Sequence, residues 1–374
     1  MIGLEAEGQI TYAAKLRMLN WGLVLLVCAI TGIGIGLLYS AAGGSWRPWA
    51  LTQAIRFAVF LVLMIGVALV DIRLWLRFAY VLHAGALGLL VVTEVMGHIG
   101  MGAQRWIAIG PFVLQPSELS KLTLVLALGR YFHGLTYEQV GRPLTLLPPL
   151  LLVMAPVALV LLQPNLGTAT LLLATGGAVF LCAGVRLWKF ALILATIVSI
   201  IPIGWQFLHD YQKRRVYTFL DPETDPLGAG YNIMQSKIAF GSGGLFGKGF
   251  VQGTQSQLRF LPEKETDFIF TVLGEEFGMI GGLILLSLYL LLFAHGYLIA
   301  VNAKSQFGRL VAMGLSTTFF LYVFVNVAMV SGLIPVVGIP LPLVSYGGTA
   351  MLTLMLGCGL LMSVSIHRDV RIAR

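Results

Sequence analysis

Met279-Ile-Gly-Gly-Leu-Ile-Leu-Leu-Ser-Leu-Tyr-Leu-Leu-Leu-Phe-Ala-His-Gly-Tyr-Leu-Ile-Ala-Val301 contains no Asp, Glu, Lys or Arg. A helix of about 20 such residues spans the hydrocarbon of a bilayer. Directly before this run stands Phe260-Leu-Pro-Glu-Lys-Glu-Thr-Asp-Phe-Ile-Phe270, continued by Thr271-Val-Leu-Gly-Glu-Glu-Phe-Gly278. The chain has only 16 acidic residues in 374, and five of them fall here: Glu263, Glu265, Asp267, Glu275 and Glu276. Ionisable groups at a membrane boundary are costly to place, so the stretch is a candidate functional site.

Working outward, the rest of the chain has the same character. Hydrophobic residues make up 58% and charged residues 11%, against about 45–50% and 25% in soluble domains. Mean hydropathy is +0.89. This composition excludes a soluble core and predicts an all-α, polytopic integral membrane protein. Apolar runs predict about ten helices, near 21–41, 51–70, 78–96, 117–132, 145–163, 168–185, 190–207, 268–301, 310–330 and 350–366. The eighth is long enough to tilt strongly or to begin outside the hydrocarbon. The first run, Trp21–Ala42, exceeds the apolar part of a signal peptide and is expected to stay as an anchor.

Lys and Arg set the orientation. Lys15, Arg17, Arg73, Arg77, Arg130, Arg142, Arg186, Lys189, Lys304, Arg309, Arg368, Arg371 and Arg374 fall on one side, while the short loops of the other side offer Arg47, Arg56, Arg105 and Lys121. The positive-inside rule then puts both termini in the cytoplasm and the long segment 208–267 outside. The net charge of +8 is dispersed in ones and twos and carries no nucleic-acid signal. Cys28, Cys182 and Cys358 lie within apolar runs at no metal-binding or disulfide spacing. The six histidines form no paired motif, so histidine ligation of a metal is set aside. With no repeat and no linker, 1–374 reads as one membrane domain.

Three outward segments stand out. In Gln115-Pro-Ser-Glu-Leu-Ser-Lys121, Pro116 and Ser117 predict a helix start, with Glu118 in the first turn and Lys121 on the same face. That pair reads as a structural cap or as a substrate-facing site. The segment 208–267 carries Lys213-Arg-Arg215, suited to anionic lipid headgroups or to a substrate pyrophosphate, and a glycine-rich run from Gly241 to Gly253. The glycine run lacks the residues of a phosphate-binding Walker loop and reads first as tight turns. Ser331–Thr349 is apolar but broken by Pro335, Gly338, Pro340, Pro342, Gly347 and Gly348. Such backbone is tolerated at membrane depth only inside protein or along a cavity, where Ser345 would face the acidic stretch.

If a helix begins near Asp267, then Thr271, Glu275 and Gly278 form a polar stripe below it. Glu276 points about 100° away from Glu275. A carboxylate at the wet end could act as general base, cation ligand or proton relay, beside the cationic candidates Arg105, Lys121, Arg215 and Lys248. The residues alone fit a transferase that expels a pyrophosphate, a transporter of a lipid-linked precursor, or a membrane scaffold.

The chain resembles the SEDS family (shape, elongation, division and sporulation) of bacterial cell-wall polymerases over nearly its whole length. The motifs are Arg105-Trp106, Gln115-Pro-Ser-Glu118 with Lys121, Gln163-Pro-Asn-Leu-Gly167, Arg215-Val-Tyr-Thr-Phe-Leu-Asp-Pro222, Gly230-Tyr-Asn-Ile-Met-Gln-Ser-Lys237 and Gly253-Thr-Gln-Ser-Gln-Leu258. Phe260-Leu-Pro-Glu263, Thr266-Asp-Phe-Ile-Phe270, Gly274-Glu-Glu276 and Pro342-Leu-Val-Ser-Tyr-Gly-Gly348 follow in order. Gly253-Thr-Gln-Ser-Gln257 and Met362-Ser-Val-Ser-Ile-His367 are similar to the rod-shape branch of the family rather than the division branch.

The resemblance implies a multi-pass protein of the bacterial inner (plasma) membrane, with its active site on the extracytoplasmic side. Its implied activity is that of a peptidoglycan glycosyltransferase, polymerising lipid II into glycan strands during elongation with release of undecaprenyl pyrophosphate. It makes Asp267 the catalytic residue and matches Glu118, Lys121, Arg105 and Arg215 to polar and basic positions of the family's cavity; with these, Asn165 and, from the reading of the residues themselves, Lys248 and Ser345 are the expected substrate-binding groups. The implied partners are lipid II with undecaprenyl-linked glycan, a class B penicillin-binding transpeptidase and the elongation machinery. A divalent cation (Mg or Mn) is left open. One departure stands out: Asn165 replaces the Asp usual at that place in the family, and is assigned a positioning role.

Overall fold

The computed structural model describes residues 12–100, 103–109, 112–207, 213, 217, 221, 229–258, 260–261 and 263–372. Helices form where the apolar runs predict them: α1 (Trp21–Ala41), α2 (Ala50–Leu69), α3 (Ile72–Met96), α4 (Pro116–His133), α5 (Leu147–Leu162), α6 (Leu166–Cys182) and α7 (Leu187–Phe207). After α8 (Ala229–Gly243) come α9 (Ile269–Asn302), α10 (Gln306–Val330) and α11 (Gly348–Ile366). In hydrocarbon every backbone polar group needs an internal partner, which the helix supplies. Seven of these helices are long and apolar enough to cross a membrane. Helix α4 is not among the seven, since Glu118, Lys121 and Arg130 interrupt its apolar run.

The first turns are capped as local chemistry demands. Asn20 Oδ1 accepts from Leu23 N at 3.1 Å, Asp71 Oδ1 from Arg73 N at 2.8 Å and Ser305 Oγ from Gly308 N at 3.0 Å. Pro116 occupies the first turn of α4, where a missing N–H costs nothing.

Helices α4, α10 and α11 form the centre, with α2 packed on α11, α3 on α4, and α6 on α10. Leu124, Leu128, Ala312, Leu315, Met355 and Cys358 are fully enclosed there. The peripheral helices keep large apolar side chains exposed, Val62, Val81 and Leu192 among them, as a lipid-facing surface requires. The fold is therefore a helical, multi-pass membrane bundle.

Two features depart from the helix-by-helix expectation. The segment between α3 and α4 folds into a three-stranded antiparallel sheet, β1 (His98–Gly100), β2 (Ala103–Ile109) and β3 (Phe112–Leu114), in the order β1-β2-β3. Its last strand is tied to α11, since Thr349 Oγ1 donates to Val113 O at 2.8 Å. The second departure lies in α9, which breaks at Gly278 (φ 64°, ψ −160°). The backbone groups freed by the break are satisfied by the glycine-rich loop. Lys248 N and Gly249 N donate to Glu275 O and Glu276 O, both at 3.0 Å, while Met279 N and Ile280 N donate to Gly244 O and Leu245 O at 2.9 and 3.2 Å. Gly241 and Gly243 end α8, while Gly244, Gly247 and Gly249 take left-handed turns of a loop seated in the helix break.

Candidate functional site

Asp267 closes the turn 263–268, immediately before α9 starts at Ile269. Its carbonyl accepts from Asn326 Nδ2 of α10 at 2.9 Å, and the same carboxamide donates to Ile339 O at 2.7 Å. The Asp267 carboxylate lies against Gly338, whose φ is +73°; a first side-chain carbon at 338 would sit 3.3 Å from Asp267 Oδ2. Glycine takes that conformation without strain, and any side chain there would press on the carboxylate. The irregular segment 331–347 therefore forms one wall around the half-buried Asp267, consistent with apolar coil held inside protein.

Further bonds hold the turn. Ser345 Oγ donates to Thr266 O at 2.6 Å and accepts from Leu341 N at 2.7 Å, and Tyr346 N donates to Glu265 O at 2.7 Å. Gln53 of α2 donates to Ser345 O at 3.0 Å. The Ser345 hydroxyl is thus occupied by backbone on both sides and is buried. In this structure it holds the Asp267 turn. In the same turn Glu263 has a left-handed backbone (φ 52°), and partial burial, reinforced by the charge of Glu265, pushes its carboxyl above the ordinary range.

Glu118 and Lys121 pair at 2.6 Å as the helix spacing predicts, and both are buried. A third member, Tyr322 of α10, joins them: its hydroxyl donates to Glu118 Oε2 at 2.5 Å and contacts Lys121 Nζ, which lies 4.5 Å from its ring centroid. Every charged atom of the pair is engaged within this triad. Tyr322 lies one turn from Asn326 on α10, so one helix face carries both the triad and the anchor of the Asp267 turn.

Asn165 caps α6, its Oδ1 accepting from Thr168 N at 3.3 Å. Arg105 of β2 donates Nε to Gln163 O at 3.1 Å and Nη2 to Pro164 O at 2.6 Å. The start of α6 packs on the wall segment through Gly167, since a first side-chain carbon there would lie 2.8 Å from Val337 O. Gly167, two residues after Asn165, and Asp267 thus flank the same short stretch, Val337–Ile339.

Lys248 lies elsewhere. Its ammonium donates to Glu275 Oε1 at 2.9 Å and to Thr254 Oγ1 at 2.7 Å, which ties it to the glycine-rich loop. Lys248, one of the cationic candidates of the sequence, is paired with Glu275 in this structure. The polar stripe below Asp267 is corrected. Thr271 Oγ1 bonds Ser236 of α8 at 2.7 Å, and Glu275 faces the loop 248–256. Because the turn at Asp267 is not helical, the helical phase does not carry from Asp267 into α9. Arg215 lies outside the described residues. Sequence reasoning also passed over Arg56 as a site group. Its guanidinium lies 5.1 Å over the ring of Tyr346, two residues before α11, and is half-buried.

Among the described residues no three His, Cys, Asp or Glu side chains gather as a metal-holding group.

The bundle is a multi-pass helical membrane protein that buries an ion pair, Glu118 with Lys121, at the start of α4 and places a half-buried carboxylate, Asp267, just before α9. The sequence profile described as "Cell cycle protein", that of FtsW, RodA and SpoVE, matches residues 17–370. Peptidoglycan glycosyltransferase MrdB of Escherichia coli K12 is 44% identical over 355 residues, covering 92% of this chain and 90% of the relative. A solved structure concerning coordination of polymerization and crosslinking by a peptidoglycan synthase complex superposes with TM-score 0.82 at 32% identity, covering 94% of this chain and 98% of that one. The crystal structure of the rod shape determining protein RodA of Thermus thermophilus gives TM-score 0.71 at 30% identity, covering 94% and 97%. The chain belongs to the FtsW/RodA/SpoVE family, the SEDS proteins.

Proposed function

We propose that this protein is a peptidoglycan glycosyltransferase that polymerises lipid II during cell elongation, with Asp267 as general base. The observation that carries the residue assignment is the Asp267 carboxylate itself, half-buried against Gly338 in a turn anchored by Asn326. The carboxylate takes the proton of the acceptor sugar hydroxyl as its oxygen attacks the anomeric carbon of the donor. The bond from that carbon to the undecaprenyl pyrophosphate breaks, with inversion at the carbon. Arg105, beside the start of α6, supplies positive charge for the departing pyrophosphate, and the α6 N-terminus adds its dipole.

The function is supported by the similarity to the glycosyltransferase MrdB of E. coli. The similarity to a synthase complex coordinating polymerization and crosslinking supports a class B penicillin-binding transpeptidase as partner. The excess of Lys and Arg on the opposite loops supports an extracytoplasmic site in a bacterial inner membrane, and the chain reads as one membrane domain. Asp267→Asn should leave insertion and thermal stability intact and abolish glycan-chain formation from purified lipid II. Normal polymer on a gel from that variant would overturn the assignment.

A further inference from the structure

Asn326 lies in the interior of α10 and is fully buried, in a helix otherwise rich in Phe, Leu and Val. Its two N–H donors go to two carbonyls of different segments, Asp267 O at 2.9 Å and Ile339 O at 2.7 Å. Its Oδ1 is buried with no hydrogen-bond partner. A leucine would fill the same volume without an unsatisfied acceptor, so packing does not explain an amide here. The two carbonyls it grips are specific ones. Asp267 O is the backbone of the proposed base, and Ile339 follows Gly338, the residue against which the Asp267 carboxylate rests. One side chain therefore sets the distance between the base and its wall.

We propose that Asn326 is a positioning residue for the glycosyl transfer, fixing the Asp267 turn against the 337–339 segment. The proposal rests on the reading of Asp267 as base. Neither atom of the carboxamide need touch substrate. Its effect is on the geometry of proton transfer, where a shift of about 1 Å costs on the order of 100-fold.

The test uses the purified full-length chain, alone and with a class B transpeptidase, with lipid II as substrate. Asn326→Leu removes both donors; Asn326→Asp keeps the shape and leaves one donor at most. Thermal unfolding, kcat and KM are measured for each, with Asp267→Asn as control. The expected result is a 10- to 100-fold fall in kcat for Leu and a fall at least as large for Asp, whose carboxylate offers the two carbonyls no donor, with KM within about threefold of the parent. A folded Leu variant with kcat within twofold of the parent overturns the proposal, because a purely structural amide moves stability and not turnover. If Leu fails to insert, the Asp variant decides by the same criterion. If Asp267→Asn still polymerises, the base assignment fails instead, and the Asn326 result then stands apart from it.

Discussion

Lys248 holds Glu275 twice, its backbone N donating to Glu275 O at 3.0 Å and its ammonium to Glu275 Oε1 at 2.9 Å. The Glu275 carboxylate also accepts from Thr254 Oγ1 at 3.1 Å, Gln255 N at 2.9 Å and Ser256 N at 3.3 Å. Its side chain is 1% exposed, that of Lys248 25%. The two partners are therefore unequal. Removing the carboxylate strands several buried donors, whereas removing the ammonium leaves a carboxylate still held by backbone N–H groups. Glu275→Ala should cost about 3–5 kcal/mol, and Lys248→Met about 1–2 kcal/mol. Thermal unfolding in detergent checks the ranking, and equal losses would contradict it.

The break in α9 makes a sharper prediction. At Gly278 a first side-chain carbon would lie 2.5 Å from Gly247 N and from Leu245 O, both backbone atoms that cannot swing aside. The conformation is also one that only glycine adopts readily, at about 1–3 kcal/mol for other residues. Gly278→Ala should unseat the glycine-rich loop and lower stability by at least about 3 kcal/mol, strain and clash together. Gly66 in α2 is the control, since nothing lies within 4 Å of a side-chain carbon there. Gly66→Ala should be neutral or stabilising by about 0.5–1 kcal/mol through helix propensity. Yield of folded protein and melting temperature for the two variants should move in opposite directions.

Tyr322 tests how the buried ion pair is maintained. Its hydroxyl is a third contact to a pair that water cannot reach. Tyr322→Phe should cost about 1.5–3 kcal/mol, the worth of a hydrogen bond to a charged group. Lys121→Met should cost more, about 3–5 kcal/mol, because Glu118 is left as an uncompensated buried charge. Adding Glu118→Gln to Lys121→Met should recover much of that loss. A double-mutant cycle on unfolding free energies reads the coupling, and additive losses would show that the three side chains do not act as a unit.

The helices were legible because hydrocarbon leaves the backbone one solution. The Glu118–Lys121 pair was legible because its spacing is local. What pairs residues distant in sequence was not. Asn326 and Tyr322 stand alone within an apolar run; their signal was the recurrence of Thr318, Tyr322 and Asn326 every fourth residue, a polar edge on a buried helix. The strands of 98–114 are short and look like any outward loop until their partners are known. The stripe through Thr271 and Glu275 failed at Asp267 because it assumed a helix starting two residues earlier, where Asn326 instead holds the Asp267 carbonyl.

Asn165 supplies the last prediction. It stands at a helix start, accepts from Thr168 N at 3.3 Å, and has the carbonyls of Gln163 and Pro164 beside it, gripped by Arg105. As a cap it needs only an acceptor oxygen, which Asp supplies as well as Asn. Asn165→Ala should cost about 1 kcal/mol. Asn165→Asp should gain about 0.3–1 kcal/mol from the dipole of α6. If Asn165 positions and does not act as a base, the Asp variant should polymerise lipid II at a rate within about threefold of the parent, and chelator should affect both alike. The decisive comparison is chelator sensitivity. An Asp variant that becomes strongly faster, and loses that gain on chelation, would mean that the carboxylate completes a cation site which Asn165 leaves incomplete.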